Sequence, residues 1–305
     1  MLEVIGQQIV NALTIGSMYT LVGVGFTLFF GVLGLINFAH GEIFMFGAFA
    51  ALVVSWTARS VELTGSVLVV FLMFVVSMTL CALFGATIER VAYKPLRGMP
   101  KLILLITSLA VSIVIREGVK EIFPAGASPH PFFSPFEYDN LKVGTIVINT
   151  MQFILIGISG VLIVALYLLV AKTWFGRAMR ATSEDPDGAR MMGVEVDAVI
   201  RNAFYLGSAL GGAAGVMNGL YYAIIRFDMG WTMAIKGFTS AVIGGLGNVY
   251  GALVGGYILA ALEVLVVATL PKGSQYRDVF TFIFLILILV FRPSGILKKT
   301  AGKAG

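Results

Sequence analysis

Long uninterrupted apolar stretches constrain this chain before any other feature does. They cover roughly residues 9 to 35, 43 to 58, 65 to 88, 102 to 115, 151 to 171, 202 to 225, 237 to 248, 251 to 270 and 279 to 291. A helix needs about 20 apolar residues to cross a ~30 Å hydrocarbon layer, so most of these stretches can span it. Lipid offers the backbone no hydrogen-bond partner, so each is helical wherever it meets hydrocarbon. Alternating strand patterns with short polar turns are absent, which argues against a β-barrel. The expected fold is an all-α polytopic transmembrane bundle, a single domain over residues 1 to 305. It should have about 8 to 10 membrane segments, some of them discontinuous.

The rest of the composition agrees. Only 12% of the 305 residues are charged and 58% are hydrophobic, whereas about a quarter of a soluble protein's residues carry charge. No room is left for a separate soluble domain. The formal net charge of +5 does not call for a nucleic-acid partner, because a basic surplus gathered on one side of a membrane orients the chain instead. The lone cysteine, Cys81, sits in an apolar run, so no disulfide framework or cysteine-rich metal site is available. No cofactor is expected. The first apolar stretch has Glu3 but no Lys or Arg before it and is too long for a cleaved signal, so it reads as retained structure. At 1.5 Å per residue it would reach roughly 40 Å, so tilt or a break is expected near Gly31 and Gly34.

Basic residues collect in Arg90, Lys94, Arg97 and Lys101; in Lys172, Arg177, Arg180, Arg190 and Arg201; and in Arg292, Lys298, Lys299 and Lys303. Positive loops stay in the cytosol, which puts the C-terminus there too. The connection over 123 to 150 has Lys142 as its single base, with Pro124, Pro129, Pro131 and Pro135, and belongs outside as an irregular or partly extended loop. Four crossings are then needed between Arg201 and Arg292, including the short piece at 237 to 248. Arg116, Glu117, Lys120 and Glu121 fall at helical spacing and read as a solvated helix end.

Glycines carry the next layer of pattern. Gly207, Gly211, Gly215 and Gly219 recur every fourth residue, as do Gly247, Gly251 and Gly255, giving smooth helix faces where another backbone approaches closely. The segment from Gly25-Phe26-Thr27 to Asn37-Phe38-Ala39-His40-Gly41 is echoed by Gly237-Phe238-Thr239 leading to Gly244, Gly245, Gly247 and Asn248. Glycine-interrupted helices in corresponding places point to a solute path, because unwound backbone supplies polar groups. The candidate path residues are therefore Asn37, His40, Gly41, Glu42, Gly244, Gly245, Gly247 and Asn248, joined by Glu263 inside the run 251 to 270. His40 and Glu42 sit between two apolar stretches without a polar loop around them, where charge is costly and needs a cavity or a partner. His40 bonding freed backbone, and Glu263 tying helices together, remain the structural alternatives. A metal site is not expected, since HExxH is missing and His130 is the other histidine. GxSxG and GxxxxGK[ST] are also missing, so neither an acyl-transfer elbow nor a phosphate-binding loop is present.

The loop over 172 to 201 contains a short helix with its own punctuation. Asp185 can cap it, Pro186 suits its first position and Gly193 its left-handed stop, while Ala189, Met191 and Met192 give an adaptable surface. Such a helix can lie on a membrane or dock on another protein. The run Gly34-Leu35-Ile36-Asn37-Phe38-Ala39-His40-Gly41-Glu42 resembles the LivH-type inner-membrane permeases of bacterial branched-chain amino acid ABC importers. So do the run from Glu89 to Gly98, the spacing Ala181, Asp185, Ala189, Gly193, and the block from Gly237 to Asn248. The resemblance implies a multi-pass bacterial inner-membrane protein that pairs with a second, related permease. It further implies two cytosolic ATPases and a periplasmic solute-binding protein, with membrane lipid around the bundle. In that reading Ala181, Asp185, Ala189, Arg190 and Gly193 belong to a coupling helix seated in an ATPase groove. Urea or short-amide permeases of the same type, and a proton-coupled secondary transporter using His40, Glu42 or Glu263, are the competing readings.

Overall fold

The first apolar stretch folds as one helix, α1 (Leu2–Leu33), and ends where the sequence places glycine. Gly34 adopts a left-handed φ of 65°, a conformation that costs an L side chain roughly 1–2 kcal/mol and glycine little. Its N–H still bonds the Phe30 carbonyl at 2.8 Å, so the helix closes its last turn before the chain reverses. The computed structural model describes residues 2 to 63, 67 to 134, 140 to 143 and 146 to 297; Pro135, Lys298, Lys299 and Lys303 lie outside the described residues.

After the reversal come α2 (Ala39–Ser60) and α3 (Val67–Ile88), the latter continued by a π turn (Glu89–Tyr93) and a 3-10 turn (Lys94–Leu96). Next are α4 (Lys101–Ile122), then β1 (His130–Pro131), β2 (Asn140–Val143) and β3 (Ile146–Asn149), and α5 (Thr150–Lys172). The short α6 (Trp174–Glu184) and α7 (Pro186–Met191) precede α8 (Val196–Tyr222), β4 (Ile224–Ile225), α9 (Met229–Gly244), α10 (Val249–Thr269) and α11 (Gly273–Phe291). The connection over 123 to 150 is partly extended, as its prolines suggest: β2 pairs antiparallel with β3, and β1 pairs antiparallel with β4.

Among the described residues, 7 helices are long and apolar enough to cross a membrane: α1 to α5, α10 and α11. That is fewer than the 8 to 10 expected, and α8 and α9 are the helices that fall outside the set. α8 has 27 residues, about 40 Å at 1.5 Å per residue, but its glycine, serine and asparagine dilute the hydrophobicity. α9 has 16 residues, about 24 Å, short of a ~30 Å layer. α1 is buried from Thr14 to Phe29, whereas α11 shows most of its surface. The bundle is thus built around α1, with α8, α9 and α10 against it and α3, α4, α5 and α11 facing outward.

The glycine strip of α8 decides how closely its neighbours come. A side chain added at Gly207 would meet the Phe29 ring, at Gly211 the His40 ring, at Gly215 the backbone of Phe44 and Ala48, and at Gly219 the Phe132 ring. The strip is therefore spent on packing inside this chain. The second strip behaves alike: Gly251 lies against the Gly244 backbone and Gly255 against the Ser240 carbonyl. Cys81 is buried against Gly212, its thiol 3.4 Å from the Ile43 carbonyl.

Backbone cannot yield as a flexible side chain can. Gly215→Val should therefore cost roughly 1–3 kcal/mol through overpacking, read as a lowered Tm of the detergent-purified protein. Gly160→Ala on α5, where nothing lies within 4 Å of the new methyl, should leave Tm unchanged or raise it.

Candidate functional site

Where α8 ends, Ala223 turns left-handed at φ 56° and the chain leaves the helix to pair β4 with β1. Residues 226 to 228 then lead into α9, and beside them opens a cavity of about 270 Å³. Its polar lining comes from Tyr19 on α1, Asn218 and Tyr222 on α8, Arg226 and Asp228 before α9, and Thr232 and Lys236 on α9. Met18, Phe44, Met229 and Met233 supply its apolar wall. Arg226 grips Asp228 through two bonds, Nε to Oδ1 at 2.9 Å and Nη2 to Oδ2 at 2.6 Å. This is the fork geometry that suits guanidinium and carboxylate.

Lys236 and Glu263 form the cavity's foundation. The Lys236 ammonium lies 3.0 Å from Glu263 Oε1 and 3.1 Å from Asp278 Oδ1. Tyr19 donates its hydroxyl to Glu263 Oε2 at 2.7 Å, and Thr281 donates to Oε1 at 2.7 Å. The side chains of Lys236 and Glu263 are only 8% and 2% exposed, so each charge depends on the other rather than on water. The network joins α1, α9, α10 and α11. Glu263 thus sits in a helix-tying cluster whose lysine borders the cavity.

The other path candidates lie elsewhere. His40 is fully buried between α1 and α8, where Gly25 and Gly211 leave room for its ring. Its Nε2 is 3.2 Å from the Val22 carbonyl, and Phe26 and Phe29 meet the ring edge-on at 5.0 and 4.9 Å. A carbonyl only accepts, so Nε2 carries the proton. Glu42 accepts from Ser112 Oγ at 3.2 Å, and its other oxygen faces Gly230 in the first turn of α9, where the helix dipole favours negative charge. Gly41 packs on Gly230 and Ala234 of the same helix, and Asn37 accepts from the Tyr93 hydroxyl at 2.7 Å. None of these lines the cavity.

The second glycine break lies at the opposite end of the bundle from the cavity. Gly245 and Gly247 take φ values of 109° and 83°. Gly244 accepts from the Leu297 N–H at 3.2 Å. Asn248 caps α10, its Oδ1 accepting from Tyr250 and Gly251 N–H at 3.0 and 3.2 Å. A smaller cavity of about 150 Å³ connects this turn to Gly31 on α1 and to Met179, Arg180 and Ser183 on α6. The two breaks therefore share one end of the molecule with α6 and α7.

In that loop Asp185 caps α7, accepting from Asp187 and Gly188 N–H at 3.0 Å each, with Pro186 in the first turn. Gly193 ends it at φ 82°. Ala181 and Arg190 are exposed, and Arg190 pairs with Asp187 at 2.8 Å. Ala189 faces inward and is buried, so it is unavailable to a partner, whereas Met191 and Met192 are 88% and 85% exposed.

Sequence reasoning did not single out Arg226, Asp228, Asn218, Tyr19 or Lys236. Lys236 carried a usable signal, since it directly precedes the apolar piece 237 to 248 with further apolar residues before it. The other polar residues look like ordinary loop or helix positions until α1, α8 and α9 are assembled.

The family model described as "Branched-chain amino acid transport system / permease component" matches residues 8–289. The branched-chain amino acid permease BraD of Pseudomonas aeruginosa is 36% identical over 96% of this chain and 95% of its own. LivH of Escherichia coli is 35% identical over 96% of this chain and 95% of its own. Among solved structures, PsaBC from Streptococcus pneumoniae in complex with Fab shares the fold, with a TM-score of 0.50 at 14% identity over 95% of this chain and 92% of that one.

Removing Lys236 alone leaves the buried Glu263 charge with Arg277, at 3.9 Å, as its remaining counter-charge among the described residues. Lys236→Met should cost about 3–5 kcal/mol, whereas Lys236→Met combined with Glu263→Gln should recover most of it. Thermal unfolding of the purified single and double variants checks this.

Proposed function

The chain belongs to the branched-chain amino acid transport system permease family, and from that membership we propose how it works. It is a transmembrane permease subunit that carries branched-chain amino acids inward across a bacterial inner membrane. Separate ATPase subunits supply the energy. The single observation that carries this reading is identity of 35–36% sustained over 96% of the chain to permeases named for that transport. A second related permease completes the membrane unit, a periplasmic binding protein delivers the solute, and lipid surrounds the outward helices. The basic end with α6, α7 and the described part of the C-terminal segment is cytosolic.

An amino acid zwitterion has two charged ends that cannot enter hydrocarbon unpaired, so its route needs polar groups along with apolar walls. The 270 Å³ cavity, with its seven polar and four apolar side chains, meets that need at the far end from α7. The breaks at 34 to 38 and 244 to 248 mark the inward part of the path, while Glu42 and Glu263 lie toward the cavity end. Energy enters at α7. Met191 and Met192 project from the capped helix as adaptable apolar contacts for an ATPase groove. α6 packs beside the ends of α1 and the 244 to 248 turn, so displacement of α7 reaches both breaks.

Met191→Asp with Met192→Asp should abolish co-purification of the ATPases and solute-stimulated ATP hydrolysis without lowering Tm. Asp185→Ala, which removes a cap worth about 1 kcal/mol, and Gly193→Val should keep the complex but reduce coupling several-fold. The assay is uptake and ATP hydrolysis by the reconstituted complex with a panel of leucine, isoleucine, valine, urea and acetamide. Concentrative uptake by this chain alone, collapsing with a protonophore, would instead establish an ion-driven carrier.

A further inference from the structure

The geometry points to the 270 Å³ cavity as a binding site for the head group of a net-neutral, zwitterionic amino acid. Arg226 takes the carboxylate, Asp228 the ammonium, and Asn218 a hydrogen bond to either. The assignment rests on the importer reading and adds residues to it.

Free valence is the first observation. A guanidinium has five N–H donors, and Asp228 uses one at Nε and one at Nη2 of Arg226, leaving three. The Asp228 carboxylate, with about four lone-pair sites, likewise keeps capacity. Both side chains are substantially exposed, at 57% and 42%, so a solute can reach them. Asn218 provides the second, independent observation. It is 9% exposed, lines the cavity, and its amide has no hydrogen bond among the described residues. The amide opens onto the cavity instead of being sealed in the core, so its donors and acceptor are free for a polar solute. Lys236 cannot serve, because Tyr19, Glu263 and Asp278 occupy its three donors.

Charge balance sets the solute class. In the ion pairs at and directly beneath the cavity, Arg226, Lys236 and Arg277 meet Asp228, Glu263 and Asp278, and beside them Glu42 is offset by Arg116. They cancel, so a net-charged solute adds an uncompensated charge next to the buried Lys236 and Glu263 pair, whereas a zwitterion does not. Urea and short amides are also neutral but have no carboxylate for Arg226 or ammonium for Asp228. The apolar wall of Met18, Phe44, Met229 and Met233 accepts an aliphatic side chain, three of its four residues being adaptable methionines. A volume of 270 Å³ falls just below the roughly 300 Å³ at which clefts for drug-sized ligands begin, which suits a single small amino acid. The site opens at the end where β1 pairs with β4, opposite α7, where an incoming solute arrives.

Equilibrium binding of tritiated leucine to the purified permease and ATPase complex, without the delivering protein, tests the assignment. Leucine should bind, with valine competing and lysine, glutamate, urea and acetamide failing to compete. Arg226→Gln, Asp228→Asn and Asn218→Leu should each weaken leucine binding at least tenfold while leaving Tm and ATPase co-purification unchanged. Arg226→Gln leaves the site net negative and should let lysine compete, whereas Asp228→Asn should let glutamate compete. Should either charge-neutralised variant fail to fold, Arg226→Lys and Asp228→Glu keep the balance; they should weaken leucine binding and still exclude lysine and glutamate. Absence of leucine binding to the wild-type complex, or unchanged binding and preference in the folded variants, overturns the site. Uptake by the whole system with its delivering protein is read separately: leucine uptake with unaltered variants removes only the site, while transport of urea or acetamide in place of leucine removes the importer reading itself.

Discussion

Close approach of backbones along α8 governs much of the interior, because helices in lipid gain no hydrophobic drive toward one another and hold together through packing and internal polar contacts. Gly207, Gly211 and Gly215 bring Phe29, His40 and the Phe44 backbone to the helix surface. With side chains there, α1 and α2 would stand away from α8 and the His40 ring could not rest between Gly25 and Gly211. The imidazole would then lose its bond to the Val22 carbonyl in a region with no water to replace it. Small residues in α8 therefore make a buried polar group tolerable in α2.

The same requirement explains the charges on the other side of α1. Lys236 and Glu263 come from different helices, and neither could remain ionised in hydrocarbon alone. Together with Tyr19, Thr281 and Asp278 they pin α9, α10 and α11 to α1 around the floor of the larger cavity. Polar satisfaction and cavity are one construction: the network that fixes α9 also places Met229, Met233 and Lys236 along the wall. At the opposite end the glycine breaks give turns beside α6 that carry few side-chain ties. A bundle anchored at one end and joined by glycine turns at the other fits the proposal that energy arrives through α7.

Much of this was legible residue by residue. The apolar runs located all the long helices, since lipid forces each run to satisfy its own backbone. Gly34 marked the end of α1 because a left-handed residue stops a helix, and Asp185, Pro186 and Gly193 bounded α7 for equally local reasons. Ala189 is the instructive exception. Its size and position in a short capped helix match a docking surface, yet it points inward, and a six-residue helix has too few turns for sequence periodicity to tell its two faces apart.

The cavity shows the limit most clearly. Tyr19, Asn218, Arg226, Asp228 and Lys236 are spread over more than two hundred positions and share no motif or spacing. Their convergence depends on the packing of α1, α8 and α9, which small residues permit but do not encode in any one segment. Sequence alone therefore determined that the chain is a lipid-solvated helical bundle with a capped loop helix, because those properties follow from composition and nearest neighbours. Which charges meet, which polar groups stay free, and where a cavity opens were decided only when the helices closed on one another, because such properties belong to distances between segments that the order of residues does not contain.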